Sequence, residues 1–398
     1  MKKRYIILIV FVSCLLLGFG IFFGIRFYNK WRIENAVIDV KLNKNLDVEV
    51  YSEAVVSDFI KSINGKIIDD YLINTKELGK KEITFKFIND DDIEVKYSFN
   101  VNVVDSTKPW IFSSSSFSIN KGYTGNLEEE LFCGDNYDND PSCTLTGYYD
   151  YNTVGSYPLT FTGVDSSGNT SITNFNLIVK SKSNSTNSSS YINYSDVVLK
   201  HKNENTMIGL DVSRWQGDIN FQAVKDAGVE FVFVRVGSQR GVGGEYYIDP
   251  KFHQNIKGFN EVGIPVGIYF YSYADSIKSA KTEAKWVVEQ LKGYKVDLPV
   301  VFDWENWSFF QEFGVSFYNL TEIAKSYLNV IEDAGYEGML YSSKNYLENV
   351  WYKTKYPVWL AHYTDKTNYE GEYKVWQLCA NGRVSGINGN VDINVMYK

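Results

Sequence analysis

The chain is poor in the residues that build metal and nucleophile chemistry. Its 398 residues include 3 His (His201, His253, His362) and 4 Cys, with no His-Glu-x-x-His and no Cys-x-x-Cys spacing. That pattern argues against a zinc centre, and nothing else in the chain asks for a metal or a cofactor. A basic stripe is also lacking: the formal net charge is -8, which argues against nucleic acid as a partner. Hydrophobic and charged contents of 44 % and 22 % are ordinary, so most of the chain can bury a core. Aromatics are abundant, with 30 Tyr and 9 Trp. Such rings suit stacking on sugars and equally suit ordinary sheet surfaces, so composition alone leaves function open.

Lys2, Lys3 and Arg4 (residues 1–4 forming a cytoplasmic N-terminus) precede an apolar stretch over residues 5–25. The stretch is long enough to span a bilayer, and the leading charges favour a cytoplasmic start. No small-residue cleavage site follows, so an uncleaved anchor over 5–27 is expected rather than a signal peptide. Cys14, after Phe11-Val12-Ser13, faintly resembles a lipoprotein processing site, but the apolar run continues past it. The expected location is the cell membrane, single-pass, with the later domains extracellular. An oxidising exterior permits a disulfide between Cys133 and Cys143, two free thiols being the alternative. Cys379, in an apolar stretch, reads as a small buried hydrophobe.

Residues 36–105 alternate polar and apolar positions in short runs, and residues 106–180 repeat the theme. Asn152-Thr153-Val154-Gly155 echoes Asn74-Thr75, with Gly79 following, and each leads into a long alternating strand. The spacing predicts two all-β sandwiches. Asn-Thr before a glycine, the hinge Val104-Asp105-Ser106-Thr107-Lys108-Pro109 and Asp165-Ser166-Ser167-Gly168-Asn169 resemble bacterial immunoglobulin-like repeats of Gram-positive surface proteins. The resemblance implies a stalk or a wall-binding spacer. The acidic turn over 134–140 lacks a regular calcium loop and reads as solvated. Residues 181–205, rich in Ser and Asn, read as a flexible linker.

Residues 206–398 alternate apolar strands with amphipathic helices, the pattern of a parallel α/β sheet closed into a barrel. The later helices are short or missing, so an irregular, TIM-like barrel is expected. Such barrels carry their sites at the C-terminal strand ends. One run stands out: Leu298-Pro299-Val300-Val301-Phe302-Asp303-Trp304-Glu305 ends a buried strand in two carboxylates one residue apart. Strand alternation points both to one side, about 6.6 Å apart. Two such acids repel, which raises the pKa of one and keeps a proton available near neutral pH. Glycosidic bond cleavage needs that proton. Asp211, Tyr269, Tyr271, Tyr341, Tyr363 and Trp376 also fall at or near strand ends, and Asp392 adds a further acid.

Gly209-Leu210-Asp211-Val212-Ser213-Arg214-Trp215-Gln216-Gly217, Phe231-Val232-Phe233-Val234-Arg235, Gly267-Ile268-Tyr269-Phe270-Tyr271-Ser272, the Asp303 run, Tyr341-Ser342-Ser343, Trp359-Leu360-Ala361-His362-Tyr363, Val375-Trp376-Gln377 and Val391-Asp392-Ile393-Asn394 follow in one order. In that order they resemble glycoside hydrolase family 25, the Chalaropsis-type lysozymes. The resemblance implies a muramidase cutting the β-1,4 bond from N-acetylmuramic acid to N-acetylglucosamine in peptidoglycan glycan strands. It makes Glu305 the general acid, Asp303 its neighbouring carboxylate, and Asp211 and Asp392 the other acids. Tyr269, Tyr271, Tyr341, Tyr363 and Trp376 would contact the glycan, with assistance from the substrate's own acetamido group. A membrane-anchored muramidase would remodel the wall locally, in the company of envelope machinery. The other readings are a non-catalytic wall-binding adaptor and a surface protein whose β modules bind a partner.

Overall fold

The computed structural model describes residues 2–181, 191–308 and 310–398, and the side chains of all of these except 2–14. The chain forms two compact units, Met1–Ser106 and Thr107–Lys398.

The first unit opens with a helix, Lys2–Glu34. The anchor expected over 5–27 falls partly on 2–14, whose side chains lie outside the described residues. Among the described residues no helix is long and apolar enough to cross a membrane. A β module follows. Its hairpin, Gly79–Asn89 with Glu94–Val104, turns where Asn89 Oδ1 accepts from the N–H groups of Asp91 and Ile93. Alternation buries Ile83, Phe85, Phe87, Phe99, Val101 and Val103 on one face, as a half-buried sheet requires. Gly65–Ile67 and Asp47–Glu49 flank the hairpin, and Val40–Leu42 pairs separately with Ile60–Ile63.

The second unit repeats that plan before the barrel begins. The sheet order is Ser142–Thr146, Gly155–Val164, Thr170–Lys180, Ser116–Asn120, the last two parallel, and Trp110–Ile111 pairs with Cys133–Gly134. Strand order, sense and sequence order match the first module, so the sequence repeat is a repeat of topology. Cys133 and Cys143 are disulfide-bonded. The acidic turn is not solvated throughout: Asp135 and Asn136 are buried, and Asp135 Oδ1 accepts from the N–H groups of Tyr137 and Asp138. Turn formation consumes the acidic side chain that the sequence suggested would face water.

The linker reading gives way from Ile192 onward, while residues 182–190 lie outside the described residues. Ile192–Asn193 pairs with Gly382 and Arg383, and a helix, Tyr194–His201, packs on the barrel. Tyr194 is buried and its hydroxyl donates to the carbonyls of Ile208 and Gly228.

Eight strands close the barrel: β1 Thr206–Val212, β2 Val232–Gln239, β3 Val266–Tyr271, β4 Val300–Asp303, β5 Gly338–Ser343, β6 Val358–Ala361, β7 Val375–Arg383 and β8 Val391–Tyr397. The first seven run parallel; β8 is antiparallel to both its neighbours, β7 and β1. Helices Phe221–Asp226, Phe252–Glu261, Ile277–Leu291, Phe317–Asp333 and Lys344–Asn349 cover the outside. Phe231, Phe233, Val301, Met339, Trp359 and Met396 fill the interior below the open end.

Candidate active site

A cavity of about 550 Å³ opens where the parallel strands end. Asp211, Asp303, Glu305, Asp392, Tyr269, Tyr271, Tyr341 and Tyr363 all line it. The packed aromatics beneath make it a cup rather than a pore.

Register explains the convergence. Asp211 on β1 lies opposite Asp392 on β8, and Tyr271, Asp303 and Tyr341 share one level across β3, β4 and β5. β4 stops at Asp303, whose carbonyl accepts from Ser272 N–H at 2.7 Å. Trp304 turns away and is fully buried, its Nε1–H donating to Ala274 O at 3.1 Å. Asn306 Nδ2 donates to Ser272 O at 3.0 Å. Those contacts fix the two acids on either side of Trp304.

The acids sit in unlike surroundings. Asp303 is buried, and its carboxyl is held well above the ordinary range by burial first, then by the charge of Glu305. Its Oδ1 has no hydrogen-bond partner among the described residues. Glu305 reaches into the open cavity and keeps contact with water, although protein surrounds it on most sides. Its carboxyl is raised too, by burial above all and also by Asp211, while the hydrogen bond with Asp303 works the other way. Both carboxyls are therefore held above the usual carboxylate range, which favours a retained proton at this end of the cavity.

Asp211 is pushed up to about 6 by burial, against the hydrogen bonds that favour its charge. Those come from Asn394 Nδ2 at 2.8 Å and Gln377 Nε2 at 3.0 Å. Gln377 Nε2 also donates to Asp392 at 2.9 Å, and burial followed by the Asp211 charge pushes Asp392 up to about 9. The hydroxyls of Tyr341 and Tyr363 donate to Gln377 Oε1 at 2.9 and 3.1 Å. One amide thus orients two acids and two tyrosines.

Trp376 is a correction. It is buried, donates its Nε1–H to His362 O at 2.8 Å, and packs with the outer core beneath the helices. Neighbouring strand residues face opposite ways, and Gln377 takes the cavity side.

Sequence reasoning left several residues in and around the cavity unassigned. Gln377, Asn394, Arg235, Trp215 and Trp359 lie inside the motifs that carried the resemblance, which was their available signal. Asp249 had none. It is buried and pairs with Arg235, whose Nε donates at 2.8 Å, and it also accepts from Arg214 N–H at 3.1 Å. That bond holds the turn bearing Trp215, an exposed ring on the cavity rim with the Arg214 guanidinium stacked over it at 4.7 Å.

The comparisons bear on this cavity. Residues 210–387 match the profile of glycosyl hydrolases family 25. The uncharacterized protein YegX of Escherichia coli (strain K12) is 31 % identical over 198 residues, which is 48 % of this chain and 69 % of that protein.

The chain belongs to glycosyl hydrolases family 25.

This family 25 hydrolase is also similar to the autolytic lysozyme of Clostridium acetobutylicum, 27 % identical over 191 residues, 47 % of this chain and 55 % of that one. Lysozyme M1 of Streptomyces globisporus is 28 % identical over 204 residues, 47 % of this chain and 66 % of that one. The matched segment holds Asp211, Asp303 and Glu305, and β8 supplies Asp392 from beyond it. The family 25 hydrolase is therefore a glycosidase by membership, with a cavity rimmed by carboxyls.

Proposed function

We propose that this glycosidase is a membrane-anchored peptidoglycan muramidase, cutting the β-1,4 bond between N-acetylmuramic acid and N-acetylglucosamine. The observation that carries the reading is the Asp303–Glu305 pair at the end of β4, one acid buried and one open to the cavity, with burial raising both carboxyls. The lysozyme names of two relatives support the substrate class.

Glu305 reaches the solvent-filled side and donates the proton to the departing glycosidic oxygen. Asp303 Oδ1, buried without a partner, suits an N–H donor, and the acetamido group of the sugar offers one. A carboxylate there would hold the acetamido oxygen toward the anomeric carbon and offset developing positive charge, the substrate-assisted variant of glycoside cleavage. Water then opens the cyclic intermediate, with Glu305 taking back the proton. Tyr269, Tyr271, Tyr341, Tyr363 and the rim residue Trp215 would frame the glycan.

The anchor rests on the apolar run over 5–25 behind Lys2, Lys3 and Arg4. It would place the barrel outside the cell at the membrane, suiting local wall remodelling beside envelope machinery. The β modules, alike in topology to each other, would act as immunoglobulin-like spacers.

The test is digestion of purified peptidoglycan by the full chain in detergent, followed by borohydride reduction and mass spectrometry of the new ends. Reduced muramic acid ends are expected. Reduced glucosamine ends would mean a different bond, and intact glycan with retained wall binding would make the chain an adaptor.

A further inference from the structure

Beyond Glu305 the chain has little regular structure of its own. Among the described residues a single 3-10 turn, Phe310–Phe313, lies between the end of β4 at Asp303 and the helix that begins at Phe317. An acid at the start of such a stretch owes its position to packing. On the inner side Trp304 and Asn306 bind the backbone after β3, as described above.

The outer side is held by the second β module. Phe132 inserts its ring among Trp307, Phe310, Phe317 and Tyr346, with centroids 6.3, 5.2, 6.1 and 5.7 Å away. Trp307 stacks on Tyr346 at 3.7 Å and 11°, and its N–H donates to Glu305 O at 2.8 Å. The Tyr346 hydroxyl is pushed up to about 12 by burial first and by the charge of Glu305 second, so the stack lies within reach of that charge. Gly134 fits so closely that a Cβ there would sit 2.5 Å from Phe317 Cε1 and 2.8 Å from Phe310 Cε1.

Polar contacts extend the grip. Gln311 Nε2 donates to Pro141 O at 2.9 Å and to Cys143 Sγ at 3.1 Å. Asn139 Oδ1 accepts from Ser316 N–H at 2.8 Å and from Asn319 Nδ2 at 2.9 Å. Phe317 N–H donates to Asp135 O at 2.8 Å. These partners all lie between the two cysteines or at the second one, whose disulfide closes a loop of sequence separation 10. A short closed loop presents them in fixed register.

We propose that the Cys133–Cys143 loop is a positioning element of the active site, with Phe132 as the positioning residue that holds Glu305 in line with the scissile bond. The second module is then part of the catalytic device as well as a spacer. The proposal rests on Glu305 being the general acid.

The test uses the full chain with Phe132→Ala, Phe132→Tyr and the milder Asn139→Ala. Rates are read on purified peptidoglycan and on a dinitrophenyl glycoside of the same sugar, whose leaving group departs without a proton. Phe132→Ala should lower kcat on the wall roughly tenfold with KM nearly unchanged, because a misplaced acid loses proton transfer and not binding. On the dinitrophenyl substrate the loss should stay under about twofold. Phe132→Tyr should restore most of the rate, and Asn139→Ala should fall between. Equal losses on both substrates, or none on either, overturn the proposal.

Hydrogen exchange over residues 310–319 supplies a readout independent of catalysis. Phe132→Ala and Asn139→Ala should both quicken it, and unchanged exchange overturns the proposal. A wild-type chain inert on both substrates would overturn the muramidase reading, and exchange would then decide alone whether the loop holds this segment. Should Phe132→Ala fail to fold, Asn139→Ala carries the same comparisons.

Discussion

Glu283→Gln tests whether a carboxyl buried in the barrel wall governs stability against pH. Glu283 projects from the helix Ile277–Leu291 and is 0 % exposed. It accepts from Ser272 Oγ at 2.6 Å and from Tyr273 N–H at 3.2 Å, bracing the turn to which Trp304 and Asn306 are tied. Burial pushes its carboxyl from 4.5 up to about 8, and the two hydrogen bonds reverse only part of that. An unfolded chain loses this proton near the ordinary value; the folded barrel keeps it until about 8. Between those limits the unfolded state binds fewer protons, so stability falls as pH rises. The slope is about 1.4 kcal/mol per pH unit, and the whole window is worth on the order of 5 kcal/mol. Glutamine has the shape of the protonated acid, keeps an acceptor oxygen for Tyr273 N–H, can offer an amide N–H to Ser272 Oγ, and never ionises. The variant should match the wild type near pH 4 and gain on it steadily up to about pH 8. Denaturant unfolding of both chains across that range, followed through the tryptophans of the barrel, measures the gap. Buried acids common to both proteins cancel in the difference. A gap that stays constant with pH, or narrows as pH rises, would refute the reasoning.

Glu305→Gln should cost wall cleavage roughly 10²- to 10⁴-fold while leaving the thermal transition in place, read by release of reducing ends. The alkaline limb of the pH–rate profile should mark loss of the proton held by Asp303 and Glu305, since burial raises both groups, with the charge of Glu305 adding at Asp303 and that of Asp211 at Glu305. Asp303→Asn removes the like charge and should move that limb to lower pH, a displacement that kcat/KM against pH would register. Trp376→Phe should leave KM unchanged, because the ring faces the outer core, and should cost about 1 kcal/mol through the lost bond to His362 O.

Legibility followed locality. Asp303 and Glu305 could be read because a buried apolar run ending in Asp-x-Glu has few structural explanations. Asp211 and Asp392 were legible through their motifs, although their pairing across β1 and β8 is a long-range event. Trp376 was misplaced because alternation leaves two choices of face, and only the partner strands select Gln377 for the cavity. The linker reading runs too long because the polar residues around Tyr194 conceal one buried ring, whose partners lie on β1 and in the turn before β2. The repeat was visible as recurring turns and alternation. Docking of Phe132 is invisible in the sequence, since its ring partners come from the far side of the chain, beyond β4, where Gln311 also reaches Pro141 across 170 residues.

The antiparallel closing strand has a consequence in time. Asn394 donates to Asp211 across a separation of 183 residues, and Asp392 joins the cavity from the same strand. Contacts so distant in sequence form late, after loop closure over nearly the whole barrel. A nascent chain that has released β1 through β7 still lacks one wall of the cup. Hydrolytic competence therefore arrives as a final step, when β8 slots between the first and seventh strands. Until that moment Asp211 lacks both the Asn394 amide and the Asp392 carboxyl that face it in the finished cup.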